Sequence, residues 1–161
     1  MARLTDVMPN FPRVEGASLE RRRYVLPTDF EGALNLVFIA FEQHHQPDVD
    51  TWVPLARQLV ARHMALRYYE LPTIRRLNPL ARTLIDGGMR AGIASAEARG
   101  ATITLYLDKA TFRRALDIAD ETDIRVMLVD RLGTIHWRSA GRWTPEKGQA
   151  LAAAVAELLP G

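Results

Sequence analysis

The apolar positions of this 161-residue chain fall into two kinds of run. Residues 34–41 (LNLVFIAF) are almost unbroken in apolar character and of strand length, the pattern of a strand buried on both faces. Residues 65–71 (ALRYYEL) and 101–107 (ATITLYL) alternate and read as strands. Residues 22–26 predict a short strand ended by Pro27. Residues 125–129 (RVMLV) and 134–138 (TIHWR) predict a hairpin around the turn Asp130-Arg131-Leu132-Gly133. Between these runs the spacing becomes helical. Trp52, Leu55, Leu59 and Val60 predict a helix over 50–63, with Asp48 or Asp50 as N-cap and Pro54 in or just past its first turn. Residues 42–49 (EQHHQPDV) read as a polar loop before it. Asn78-Pro79 opens a second helix, with Leu80, Leu84 and Ile85 on its apolar side and Gly87-Gly88 as its stop. Asp108 caps a short helix carrying Phe112, Ala115 and Leu116. Thr144-Pro145-Glu146 starts the last helix, where Leu151, Val155 and Leu158 share a face.

The resulting order, β-β-α-β-α-β-α-β-β-α, predicts an α/β protein. Helices cover both sides of a mixed central sheet, and the chain ends in a hairpin and a C-terminal helix. The length fits one domain, over residues 20–161, after a loosely ordered N-terminal segment, 1–19. Apolar residues at 48% and charged residues at 25% exclude a disordered or fibrous chain. The apolar runs are far shorter than the roughly 20 residues of a membrane span. The N-terminal residues have neither the apolar core of a secretory signal nor the acid-poor composition of a transit peptide, so the expected location is cytoplasmic.

Two compositional facts change the picture. Lys109 and Lys147 are the only lysines among 21 basic residues, so the other 19 are arginine, a bias that points to a GC-rich bacterial genome. The charges alternate in sign around a net +2, which gives no electrostatic footprint for nucleic acid. The second fact is the absence of cysteine. That excludes disulfides, thiolate nucleophiles, zinc–thiolate sites and dithiol redox chemistry.

The strand, polar loop and helix around residue 41, with the later Asp-x-x-Gly hairpin, resemble the thioredoxin superfamily. Its lipoprotein-like members read F-W-A-x-W-C-P-P-C-x-x-E-M-P-x-L after the first core strand. Residues 41–54 here (FEQHHQPDVDTWVP) lie over that stretch without a gap. Gln46 and Val49 stand at the two cysteine positions, and Pro47 and Pro54 at two proline positions. Ile124 occupies the position of the family's cis-proline, six residues before Asp130, where a trans bond is expected. The resemblance implies a thioredoxin-like three-layer α/β/α sandwich without redox activity. Within the superfamily the chain is most similar to the assembly factors of the mitochondrial ATP synthase membrane sector, the Atp-ten family. The shared features over about 24–158 are Leu26-Pro27, Gly32, residues 49–52 (VDTW), Tyr69-Glu70, Arg113 with Leu116-Asp117-Ile118, and the closing pattern from Leu128 to Gly141.

The chemistry-bearing residues crowd the position of the missing cysteine pair. Glu42, His44, His45, Asp48 and Asp50 share one segment with Gln43 and Gln46. Histidine and carboxylate together suit a metal or a base with its orienter, and His44 and His45 are the weak metal candidates. Adjacent histidines diverge, however, and a solvated loop capping a helix is the better reading. Glu42, Glu70 and Asp108 end predicted strands, where α/β proteins gather their sites, and Arg75 and Arg76 flank Glu70. A structural ion-pair cluster competes with that convergence. Asp86-Gly87-Gly88 follows a helix and lacks phosphate-loop spacing, so it reads as a helix stop. On the hairpin, a packed Trp137 is favoured over a cofactor platform. The expected role is binding: a redox-inactive, chaperone-like or assembly partner of another protein, with no cofactor. Its surface would use Glu42, Gln43, His44, His45, Gln46, Asp48, Glu70, Arg75 and Ile124. The alternatives are a small enzyme or a metal- or small-molecule-binding protein working from the same loop.

Overall fold

The computed structural model describes residues 9–75 and 101–159. Seven strands form one mixed sheet: β1 (Val14–Ser18), β2 (Arg23–Leu26), β3 (Leu34–Ala40), β4 (Leu66–Arg75), β5 (Ile103–Leu107), β6 (Arg125–Val129) and β7 (Ile135–Ala140), in the order β2-β1-β5-β4-β3-β6-β7. β3 lies parallel to β4, and β4 to β5. The β1–β2, β1–β5, β3–β6 and β6–β7 pairs are antiparallel. The described helices are α1 (Gln46–Asp50), α2 (Val53–Arg62), α3 (Lys109–Ala115) and α4 (Pro145–Leu158).

Period-2 geometry divides β3 between two cores. Leu34, Leu36, Phe38 and Ala40 join Val49, Trp52, Ala56, Leu59, Leu151 and Val155, so this face lies under α1, α2 and α4. Val37 and Ile39 join Tyr69, Leu71, Leu105 and Met127 on the other face, together with Phe112 of α3. All seven β3 residues are buried, as the unbroken apolar run predicts. Asn35 fits this strand because its amide is fully engaged. Nδ2 donates to the carbonyls of Gly32 (2.9 Å) and Val129 (3.2 Å), and Oδ1 accepts from the Gly32 N–H (2.9 Å).

Three elements differ from the sequence reading. The N-terminal segment is not loose from residue 10 onward. Phe11 is buried edge-on against Phe30 and Phe112 (centroids 5.7 and 5.8 Å), and β1 joins the sheet. The β1 sequence VEGAS carries little strand signal. Its glycine is nonetheless required, because a Cβ on Gly16 would stand 2.7–2.8 Å from Leu105, Ile103 and the Thr104 carbonyl of β5.

The predicted loop over 42–49 is helical from Gln43 onward, with Glu42 as an extended N-cap. A 3-10 turn over Gln43–His45 runs into α1, and α2 is a separate helix. The break follows from Pro54, which has no N–H to offer the Asp50 carbonyl four residues back. Neither Asp48 nor Asp50 caps α2, whose N-cap is Trp52. Finally, β4 continues past Leu71 through Pro72 to Arg75. Proline suggests a strand end, but here β4 passes from β3 (Leu66 to Pro72) to β5 (Thr73 to Arg75). The predicted helix opening at Asn78-Pro79 and the Asp86-Gly87-Gly88 turn lie outside the described residues, as does Arg76.

Candidate functional site

The carboxyl ends of β3 and β4 and the turn into α1 enclose a cleft of about 290 Å³. Glu42, Gln43, Gln46, Arg75 and Lys109 meet at it over the apolar side chains of Phe41, Pro72 and Ile74. This is where open α/β sheets place their ligands. Glu42 and Gln43 are exposed and Gln46 is half-buried. Arg75 is exposed at the end of β4. Asp108 lines an adjoining cleft with Lys109, Arg75 and Glu121. It also caps α3, and the Thr111 N–H on its Oδ1 (2.9 Å) holds its carboxyl below the usual range. Glu70 does not end its strand, because β4 runs five residues further. It sits beneath α1 at 8% exposure.

Gln46, at the first of the two cysteine positions, ties this arrangement together. Its Nε2 donates to Glu70 Oε1 (2.8 Å) and to Asp50 Oδ1 (2.9 Å), which uses both amide hydrogens. Burial pushes the Glu70 carboxyl above its ordinary range. The Gln46 hydrogen bond works against that rise, the Asp50 charge adds to it, and Arg57 opposes it. The result is a closed carboxyl–amide–carboxyl bridge with no thiol.

The two histidines have opposite fates. His44 is exposed. His45 is 1% exposed, and its Nδ1 accepts the backbone N–H groups of Phe41 (3.1 Å) and Glu42 (3.3 Å). The ring proton therefore sits on Nε2, which is buried without a hydrogen-bond partner. The rings lie 4.6 Å apart at a steep angle. His45 thus braces the end of β3 and is not a surface residue. Among the described residues no group of three His, Asp or Glu side chains could hold a metal. Asp48 is half-buried in α1, and its carbonyl accepts from Thr51 Oγ1 (2.6 Å). Ile124 is fully buried beneath the helices, so it offers no binding surface. The only cis peptide among the described residues is Leu26–Pro27, so the bond before Ile124 is trans.

Lys109 is the site residue that the sequence reading passed over. Its Nζ donates to the Phe41 carbonyl (2.7 Å) and Glu121 Oε1 (3.3 Å) and lies 3.8 Å from Glu42 Oε1. Arg113 Nε reinforces Glu121 from the same helix (3.0 Å). One ammonium therefore joins the turn after β3 to the loop before β6. The only signals were its rarity as a lysine and its place after the capping Asp108.

No family model and no curated protein matches the chain. Solved structures do match over nearly its whole length. A thiol:disulfide interchange protein from Bacteroides sp. is 16% identical with a TM-score of 0.59, covering 96% of this chain and 91% of that one. The thioredoxin domain of a thiol-disulfide oxidoreductase from Bacteroides vulgatus is 17% identical with a TM-score of 0.57, over 95% and 97%. BsSco, a member of the Sco family of cytochrome c oxidase assembly proteins, is 12% identical with a TM-score of 0.66, over 93% of each chain. Identities this low establish the fold alone. The chain has a thioredoxin-like fold, and it has it without a single cysteine.

Proposed function

We propose that this protein acts by binding another protein, as a chaperone-like or assembly partner, and performs no thiol chemistry. The observation that carries this reading is Gln46: the side chain at the nucleophile's position is an amide whose two hydrogens are already committed to Glu70 and Asp50. The turn around it remains presented to solvent through Glu42, Gln43, His44 and Pro47. The sequence resemblance to ATP synthase assembly factors supports the same role, as does a structural neighbour from a family of cytochrome c oxidase assembly proteins. The contact surface would comprise these exposed residues and the neighbouring Thr122 and Asp123. Buried His45, Glu70 and Ile124 would hold its shape.

Affinity capture from the native host, followed by mass spectrometry, tests this directly. The double substitution Gln43→Ala and His44→Ala should weaken capture of the specific partner. It should leave the protein folded, since exposed positions usually change stability by no more than about 0.5 kcal/mol each. Unchanged capture by the double variant would move the binding surface elsewhere. His45 and Gln46 are unsuitable for this test, because each holds buried structure.

A further inference from the structure

β2 and β7 are the two edges of the sheet. An edge strand carries main-chain donors and acceptors that a further strand can pair with. The register shows which residues hold them here. Next to β2, the Ser18 N–H donates to the Arg22 carbonyl (2.8 Å). In an antiparallel ladder the bonded pairs alternate, so those between β1 and β2 fall at Tyr24 and Leu26. Arg23 and Val25 therefore turn their N–H and C=O groups away from β1. At the other edge, the Gly141 N–H donates to the Ile124 carbonyl (3.0 Å), so Arg138 and Ala140 turn theirs away from β6.

The chain itself fills several of these positions. Past Leu26 it folds back and lays Asp29 against Val25. The Val25 N–H donates to Asp29 Oδ2 (2.7 Å), and the Asp29 N–H donates to the Val25 carbonyl (2.9 Å). One residue thus supplies both the acceptor and the donor that a residue of a neighbouring strand would bring. It does so from an exposed position, where its carboxylate contributes nothing to either core. β7 is closed at its ends. Lys147 Nζ occupies the Ala140 carbonyl (2.7 Å), and Asn10 bridges Thr134 in the antiparallel sense. Between these caps stands Arg138, and beside the β2 cap stands Arg23, charged side chains that themselves discourage edge pairing. Without Asp29, β2 would be free to pair with itself. In an antiparallel arrangement centred on Tyr24, Arg23 and Val25 of one copy would face Val25 and Arg23 of the other. Each pair would exchange two hydrogen bonds, with no like charges directly opposed.

We propose that Asp29 is a built-in cap that keeps the edge of β2 from pairing with β2 of a second copy. This device is separate from the Glu42–Gln46 turn and does not depend on the role assigned to that turn. Two measurements on the full chain test it. In the parent, amide exchange relative to the intrinsic rates should be about tenfold or more slower at Val25 than at Arg23. Both N–H groups leave β1, and only that of Val25 is bonded. In sedimentation, Asp29→Ala should self-associate about tenfold or more tightly than the parent, and the Arg23 amide should become protected in the associated form. Asp29→Asn keeps an oxygen for the Val25 N–H and should sediment as the parent does. Equal exchange at the two amides overturns the cap, even where Asp29→Ala does not fold. So does a folded Asp29→Ala that sediments like the parent, association that leaves Arg23 unprotected, or equal association of Asp29→Asn.

Discussion

Phe38 and Glu70 are paired across β3 and β4, and they show opposite ways of being buried. Phe38 is fully enclosed with its ring 6.1 Å from that of Trp52. Emptying such a site costs about 3–5 kcal/mol, so Phe38→Ala should lose that much stability in chemical denaturation. A loss below about 1 kcal/mol would contradict the central placement of β3. Glu70 is buried as a carboxyl, and its raised pKa has a consequence for stability. Between the unfolded and the higher folded pKa, the native state binds more protons than the unfolded state. Stability therefore falls as pH rises through that interval and stays lower above it. Glu70→Gln removes the charge and keeps an oxygen to accept from Gln46. The variant should melt higher than the parent at pH 7, and the gap should close on acidification below the unfolded carboxylate range of about 4.3. Thermal melts at neutral and acid pH decide this, and an equal or lower melting temperature at pH 7 would contradict it. The sequence showed Glu70 as a charged residue at a strand end. Its actual place under α1 depends on β4 continuing through Pro72, which no local pattern announces.

Long periodic runs were the legible part of the architecture, and the connecting segments were not. The β3 run and the α4 face are dictated by burial on both sides and on one side respectively, so their patterns reach the sequence directly. Asp108 and Thr144 cap α3 and α4 as their residue types suggest, accepting from the N–H groups of Thr111 (2.9 Å) and Lys147 (3.2 Å). The turn after β3 escaped because its helicity comes from tertiary partners. His45 fills its interior with a ring bonded to the backbone, and Lys109 of α3 clamps its start from across the sheet edge. Polar composition conceals both. The Lys109 clamp can be tested through Lys109→Met, which keeps most of the apolar stem and removes the ammonium. The Phe41 carbonyl then loses its donor, and Glu121 keeps only Arg113. Stability should fall by about 1–3 kcal/mol, and amide exchange should quicken across residues 42–46. A change below about 0.5 kcal/mol with unaltered exchange would mean that the turn holds itself.

Taken together, the seven-stranded sheet and its two cores reproduce the framework of disulfide-exchanging proteins while the reacting atoms are gone. The framework does not need them. Trp52 and Val49 of the segment after β3 are anchored in the same core as Phe38, and Trp52 also reaches the Gly141 carbonyl after β7. That segment is therefore held by packing and hydrogen bonds that no thiol contributes to. Of the two cysteine positions, the second holds Val49, which packs in that core, and the first holds Gln46, which makes the bridge to Glu70 and Asp50. Disulfide exchange requires a thiolate to attack sulfur, and an amide nitrogen, whose lone pair is delocalised into its carbonyl, is no substitute. The purified protein should show no turnover in the insulin-reduction assay with either a chemical or an enzymatic electron donor. Its melting temperature should also be the same with and without excess dithiothreitol, because no bond in the chain is reducible. Insulin turnover above the uncatalysed rate would require a reactive group other than a thiol, and would overturn the assignment of this site to binding.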